Sequence, residues 1–394
     1  MKILVSNVGS TSLKFKLYDM PEEKVLCTAK VERVGSCDNA IFSYRNEQTG
    51  DGFSADKLCV ESYTAGIRMF LEKMTDGKLG VVASVNEIEA VGFKTVLSKG
   101  YYGVHLLTEE VLQGMRDYLY IAPAHNAPYL EAIEQFKMIL PDVAMVGVFE
   151  TAFHVTVPKE RKIYALPYEW YEEYGIQRMG YHGASHSYIA EEAPKYGKAE
   201  RIISCHLGGS CSLCAVLNGE SVDTSFGFSL QTGIPHANRC GDIDPYIVPF
   251  LLNQGMSEDE VMKGLSKNGG LLGVSGVSND LRLVQQAAEA GNERAQLAID
   301  IFVNAIIRYI GMFYAELGGL DSLVFTGGIG ENSVMLRQRV CSELKHLGIV
   351  LDEEKNRERR EGDISAEDSK VRVLVIPANE ELGIARKTFR CIED

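Results

Sequence analysis

The sequence predicts an α/β fold built from two similar halves with a cleft between them. Three observations carry this. Each half opens on a strand, a turn of small residues and a second strand: ILVSNV, GSTS and LKFKLYDM near the amino terminus, and RIISCHL, GGS and CSLCAVL from residue 201. Each half then continues with short apolar runs separated by helical patterns, the alternation that gives a sheet covered by helices. The length of 394 residues suits two or three domains at roughly 100–200 residues each.

In the first half, KVLCTAKVERV predicts a third strand, residues 57–75 a helix, and Ala90–Val96 another strand. Thr108 followed by two glutamates is a helix start. The proline-containing stretch from Ile121 is a loop entering a helix, and DVAMVGVFET is a buried strand. In the second half, Asn218-Gly219 predicts a hairpin turn. Residues 289–317 read as one long helix ending at Gly318-Gly319. LVFTGGIGENS is a strand running into a glycine-rich loop, RVLVIPANEE a last strand, and ELGIARKTFRCI a terminal helix. The mixed-charge stretch EEKNRERREGD at 353–363 is expected to be a solvated helix and loop.

Composition narrows the function. Forty basic residues against 54 acidic ones give a net charge of −14, which argues against binding nucleic acid by bulk charge. Hydrophobic residues at 45% and charged residues at 24% are ordinary for a globular protein. The start, MKILVSNVGSTSLKFKL, lacks the apolar core of a secretory signal. No run approaches the roughly 18 apolar residues of a membrane span. Nine scattered cysteines suit free thiols in a reducing cytoplasm. The one CxxC, Cys211 to Cys214, lies inside a strand pattern with no second pair to complete a zinc site, so buried structural thiols are the expectation.

Three small-residue turns follow strands: Asn7 to Ser12, His206 to Ser210, and Gly327 to Asn332. Such turns let backbone N–H groups approach anionic oxygens. With hydroxyls and Lys14 beside the first, they point to a nucleotide phosphate site. None fits GxxxxGK[ST], and none is a GxGxxG opening a long helix, so P-loop and dinucleotide-binding readings fall back.

The blocks NVGSTSLKFKLYD, FETAFH, RMGYHGASH, CHLGGSCS, VDTSFGFS, NRCGDIDP, GLLGVSGVSNDLR, FTGGIGENS and VIPANEELGIAR, in this order and nearly end to end, resemble the acetate and propionate kinase family of the actin, sugar-kinase and Hsp70 superfamily. The resemblance implies two ribonuclease H-like (actin-like ATPase) domains. These would be residues 1–149, joined by a terminal helix at 383–394, and 150–382, the latter binding nucleotide and forming a homodimer. It implies phosphorylation of a short-chain carboxylate by ATP, with Mg2+ and with ADP as product. It places His182, Arg239, Lys94 and Glu150 in catalysis. Asn7, Ser10, Ser12, Lys14, His206, Gly208, Gly209 and Ser210 would contact phosphates. Asp280, Leu281, Arg282, Gly328, Ile329, Gly330 and Asn332 would hold the rest of the nucleotide. Asn7, Glu380 and also Glu150 would serve the metal and its waters, and Val96, Ala124, Tyr181 and Leu230 would line the acyl pocket. His186 is expected to brace its turn, while His125 and His154 stay open between function and packing. Arg239 is weighed against a salt bridge to Asp242 or Asp244.

Phosphoryl transfer to a carboxylate brings two anions together, so neutralising charge matters more than moving protons. That fits an arginine fork at Arg239. Several positions depart from the family pattern. Lys94 stands for an arginine, Gly209 for an asparagine, Glu150 for an aspartate, Ala124 for a leucine and Tyr181 for a phenylalanine. The smaller Ala124, with the polar groups of Tyr181, Gln231 and His236, suggests a roomier, more polar pocket and a larger or hydroxylated acceptor. A pyrophosphate or phosphate partner, or a nucleotide-binding regulator without turnover, are the alternatives.

Overall fold

The computed structural model describes residues 1–9, 11–119, 123–358 and 361–393, with the side chains of 123–125 outside that set. The readings for Ser10, His125 and the Ala124 side chain therefore lie outside the described residues. The chain divides into two compact units, Met1–Ala152 with Asn379–Asp394, and Phe153–Ala378.

The first unit holds an eight-stranded sheet. Its strands are β1 (Lys2–Gly9), β2 (Ser12–Asp19), β3 (Lys24–Glu32), β4 (Ser36–Asn46), β5 (Gly52–Val60), β6 (Ala90–Thr95), β7 (Val104–Leu106) and β8 (Ala144–Phe149). The order is β5-β4-β3-β2-β1-β6-β8-β7. The first five strands form an antiparallel meander, and β6 and β8 run parallel to β1. Ile3, Leu4 and Val5 are all fully buried, as a central strand covered on both faces requires. Helices Tyr63–Met74 and Pro123–Ile139 pack one face through Phe70 and Phe136, against Phe15 and Phe93. The terminal helix Glu380–Glu393 packs along β6, β1 and β8. Gly92 allows this, because a Cβ there would meet Thr388 Oγ1 at 2.3 Å.

Two strands here differ from expectation. The helix expected from residue 57 begins only at Tyr63, capped by Ser62 Oγ accepting from Ala65 N at 3.3 Å. Residues 57–60 end β5, an edge strand whose polar outward positions hide its period. β4 was not expected either.

The second unit contains β9 (Arg201–Leu207), β10 (Cys211–Leu217), β11 (Glu220–Thr224), β12 (Ser322–Thr326), β13 (Gly362–Asp363) and β14 (Arg372–Val375), in the order β11-β10-β9-β12-β14-β13. β9 to β11 are antiparallel, and β12 and β14 run parallel to β9. This arrangement matches β3-β2-β1-β6-β8 of the first unit strand for strand, so the α/β architecture is duplicated. The helix expected over 289–317 is Glu293–Leu317, and a separate helix, Leu281–Glu289, precedes it. The two part where Gly291 has φ +91° and Asn292 caps the second. By length and composition Glu293–Leu317 could cross a membrane. It carries Asp300, Arg308 and Glu316, and it packs on β9 and β10 through the fully buried Phe302, Ile306, Ile310 and Phe313. The expected glycine-rich loop after β12 is a short helix, Gly327–Asn332.

Candidate active site

In the first unit, chain folding gathers three residues far apart in sequence. Lys94 lies near the end of β6, Glu150 directly follows β8, and Glu380 begins the terminal helix. Lys94 Nζ donates to Glu380 Oε2 at 2.6 Å and lies 3.1 Å from Glu150 Oε1. Burial opposes the lysine charge, but Glu150 and then Glu380 outweigh it and hold the ammonium well above the usual lysine range. Burial raises Glu150, Lys94 opposes that rise, and Glu380 adds to it. Both Glu150 carboxylate oxygens are buried and neither has an aligned hydrogen-bond partner, the contact with Lys94 being ionic. Asn7, on β1, accepts a hydrogen bond from Tyr129 Oη at 3.2 Å, and Tyr129 in turn accepts from Val8 N. An oxygen-only donor set with an orphaned buried carboxylate oxygen fits a hard divalent cation that keeps part of its water shell. Ser12 closes the β1–β2 turn opposite Gly9. Lys14 is exposed and lines a shallow groove with Lys16, Lys30 and Arg45. Val96 is buried.

In the second unit, His182 caps the helix Gly183–Glu192 in the left-handed conformation, φ +58°. Its Nδ1 is hydrogen-bonded to Ser212 Oγ at 2.9 Å, and its ring lies 4.1 Å from that of His206. Ser212 Oγ also meets His186 Nε2 at 2.8 Å, while His186 Nδ1 meets Ser204 Oγ at 2.9 Å. Burial, followed by the neighbouring His154 and His206, holds His186 well below the usual histidine range. His186 is therefore a neutral brace fixing the serine that orients His182. His154 packs between Ser221 Oγ and the Tyr181 carbonyl.

Arg239 donates to the Leu230 carbonyl at 2.6 Å. Among the described residues no carboxylate lies within ion-pair distance of it: Asp242 accepts from Gly233 N and Tyr309 Oη, and Asp244 from Tyr246 N. Burial lowers the affinity of Arg239 for its proton, yet a guanidinium stays charged in proteins. Gly270, φ +60°, makes room for this loop, since a Cβ would meet the His236 carbonyl at 2.1 Å.

A cavity of about 980 Å³ opens in the same unit, large enough for a nucleotide-sized ligand. It is lined by Gly208, Gly209, Asp280, Leu281, Arg282, Gly328, Ile329 and Asn332, all expected, and also by Ala237, Asn279, Gln285 and Gln338, which were not. A Cβ on Gly209 or Gly328 would enter open space, so bare backbone faces the cavity. Asp280 caps its helix and pairs bidentately with Arg282, whose side chain is 86% exposed. His206, Ser210 and Gly330 stand behind this lining. The Ser210 hydroxyl is buried without a partner.

Two expectations about pocket polarity are corrected. The Tyr181 hydroxyl donates to the Phe228 carbonyl at 2.8 Å, and its ring is buried against Phe226. His236 Nδ1 accepts from Cys211 N at 2.9 Å and Nε2 donates to the Thr232 carbonyl. Burial and then Arg239 push it down to about 3. Neither residue offers a free polar group. His236 instead pins the 208–211 turn.

Other supports escaped the sequence reading. Arg337 is buried and donates to the carbonyls of Gly330 and Glu331, to Asn356 Oδ1 and to the Asn356 carbonyl. It braces the Gly327–Asn332 turn from behind. Glu331 Oε1 ties that turn to Ala378, accepting from Gly327 N and Ala378 N. Nothing near either motif marks these roles. Cys211 and Cys214 are buried thiols, as expected.

The profile of the Acetokinase family matches residues 2–386. The chain is 44% identical to an acetate kinase of Treponema denticola over 400 residues, covering all of both chains. It is 45% identical to an acetate kinase of Methanosarcina acetivorans over 401 residues, covering 100% of this chain and 97% of that one. Among solved structures it is similar to an acetate kinase of Porphyromonas gingivalis, with a TM-score of 0.88, 36% identity and 99% of each chain covered. It is also similar to a propionate kinase of Francisella tularensis, with a TM-score of 0.89, 35% identity and 99% of each chain covered.

Proposed function

This chain belongs to the acetokinase family, and on that premise we propose how its residues carry out the reaction. The reaction is phosphorylation of a short-chain carboxylate by ATP: a carboxylate oxygen attacks the γ-phosphorus, the bond to the ADP oxygen breaks, and an acyl phosphate forms. The observation that carries this reading is the glycine-walled cavity of the second unit. Its volume suits a nucleoside triphosphate and exceeds what pyrophosphate needs, which favours the nucleotide as donor.

Within the second unit, Asp280 and Arg282 hold the nucleoside side of the ligand. Gly208, Gly209 and Gly328 present backbone donors to its phosphates. Arg239 keeps its remaining guanidinium donors for anionic oxygens, and His182, held by Ser212, donates to the transferring phosphoryl group. Within the first unit, Lys94 neutralises negative charge, and Glu150, Glu380 and Asn7 would hold Mg2+. When bound, the metal withdraws charge from phosphate oxygens.

With Tyr181 and His236 tied internally, two grounds for a polar acceptor disappear, and an unsubstituted short-chain acid is favoured. A homodimer through the second unit is supported by exposed apolar side chains at 166–174 and 243–262, among them Tyr246 at 79% and Phe250 at 61% exposure. Nine free cysteines suit a cytoplasmic setting. The test is a turnover screen of acetate, propionate, butyrate and hydroxy acids with ATP and Mg2+, trapping acyl phosphate as hydroxamate. A preference for acetate or propionate is expected. Absence of turnover on every acid would overturn the reading.

A further inference from the structure

The outer hairpin of the first unit carries a cluster that the phosphoryl-transfer reaction does not use. Cys37 lies at the start of β4 and Cys59 near the end of β5, and Glu61 follows that strand. Ser36 pairs with Val60, which sets Cys37 beside Cys59 across the two strands. Val60 is fully buried in the core, while Cys37, Cys59 and Glu61 are all exposed. The strand pairing is broken here, with register shifts between Ser36 and Ala40 and again before Phe42. The ladder that would otherwise hold the edge strand β5 is therefore interrupted where the thiols meet.

The two sulfur–oxygen distances match a known coordination shape, and the two sulfurs are near enough to share an ion. Glu61 Oε1 lies 3.8 Å from Cys37 Sγ and 3.6 Å from Cys59 Sγ, and the three atoms fall within 4.8 Å of one another. A tetrahedral zinc ion, with Zn–S of about 2.3 Å and Zn–O of about 2.1 Å, separates its sulfur ligands by about 3.8 Å and sulfur from oxygen by about 3.6 Å. We propose that Cys37, Cys59 and Glu61 form a binding site for a thiophilic divalent cation of the zinc class, with water in the fourth position. Two thiolates and one carboxylate select such an ion over Mg2+ or Ca2+, which take oxygen ligands. On binding, each thiol gives up its proton to solvent, two M–S bonds form, and no electron is transferred. The ion ties β5 to β4 where the ladder is broken.

The test uses the full, reduced chain. It is incubated with Zn2+, freed of excess and assayed for bound zinc by mass spectrometry. A parallel titration with Co2+ is followed by thiolate-to-cobalt absorption. One equivalent of zinc and a charge-transfer band are expected. Cys37→Ser and Cys59→Ser should each weaken binding at least about 100-fold and remove the band, and Glu61→Gln should weaken it about 10-fold. All three variants should keep wild-type circular dichroism and wild-type kinase turnover, so a folding defect would be visible separately. Failure of the reduced wild type to bind stoichiometric zinc overturns the proposal. So does an undiminished cobalt band in the Cys37→Ser/Cys59→Ser double variant, or a protein that forms a Cys37–Cys59 disulfide on oxidation yet takes up no zinc when reduced.

Discussion

In the first unit an ammonium lies 2.6 Å from one carboxylate and 3.1 Å from another. In the second, Arg239 has no carboxylate partner among the described residues, and His182 and His186 are held by serine hydroxyls. The first region thus keeps its charges paired in the resting protein. The second leaves Arg239 without a carboxylate partner among the described residues, ready for an incoming anion. Removing one member of a paired cluster leaves an uncompensated buried charge, whereas a cation without a carboxylate partner serves mainly the bound anion.

The sharpest way to break this contrast is Arg239→Ala. Its cost should fall on catalysis, with kcat lowered about 10²–10³-fold and little change in urea midpoint. Arg239→Lys should recover little, because one fork donor is already spent on the Leu230 carbonyl. A loss below tenfold in hydroxamate turnover would dissolve the distinction.

Lys94→Met should act on the fold as well as the reaction. It leaves Glu150 buried without its counter-charge, and with the lysine side chain 19% exposed the expected loss is about 2–3 kcal/mol in urea unfolding. Adding Glu150→Gln to Lys94→Met should restore most of that stability but not the activity. If the double variant is no more stable than Lys94→Met alone, the two charges are not a pair.

A third test uses pH on the second unit. Burial, then the charge of Asp223, pushes Glu316 from the ordinary glutamate value of 4.5 up to about 7. The folded state therefore holds an extra proton between those values. Its stabilising contribution is complete below the unfolded value and is lost as pH rises through about 7. The melting temperature should fall between pH 5 and pH 8 by an amount equivalent to about 1–2 kcal/mol, and Glu316→Gln should flatten that slope.

The smallest effect is expected at Gly209. Its Cβ would meet nothing within 4 Å, so Gly209→Asn should change stability by less than about 0.5 kcal/mol. An effect on the KM for nucleotide, with kcat unchanged, would show that the added amide reaches the ligand.

Much of this site was legible locally. Gly208, Gly328 and Asp280 sit in turns whose small or capping residues announce the backbone they need. What stayed hidden depends on contacts across the fold. Arg337 sits in VMLRQRV beside Arg339, where nothing marks it as the buried arginine, and its partner Asn356 lies in a stretch that composition assigns to solvent. His236 looked like a polar addition to a pocket because sequence cannot say which way a ring turns or that Cys211 N lies 2.9 Å from its Nδ1. Lys94, Glu150 and Glu380 were each expected at the site, but that the lysine pairs with both carboxylates follows only from the neighbouring ends of β6, β8 and the terminal helix.

The helix that packs over Gly92 is made only after all of Phe153–Ala378. During synthesis the first sheet emerges with an apolar groove bare, and Lys94 waits for the second of its two acidic neighbours. The first sheet is therefore fully covered only once the carboxyl-terminal helix has been made, and a deletion near the carboxyl end would be felt at the opposite extreme of the reading frame.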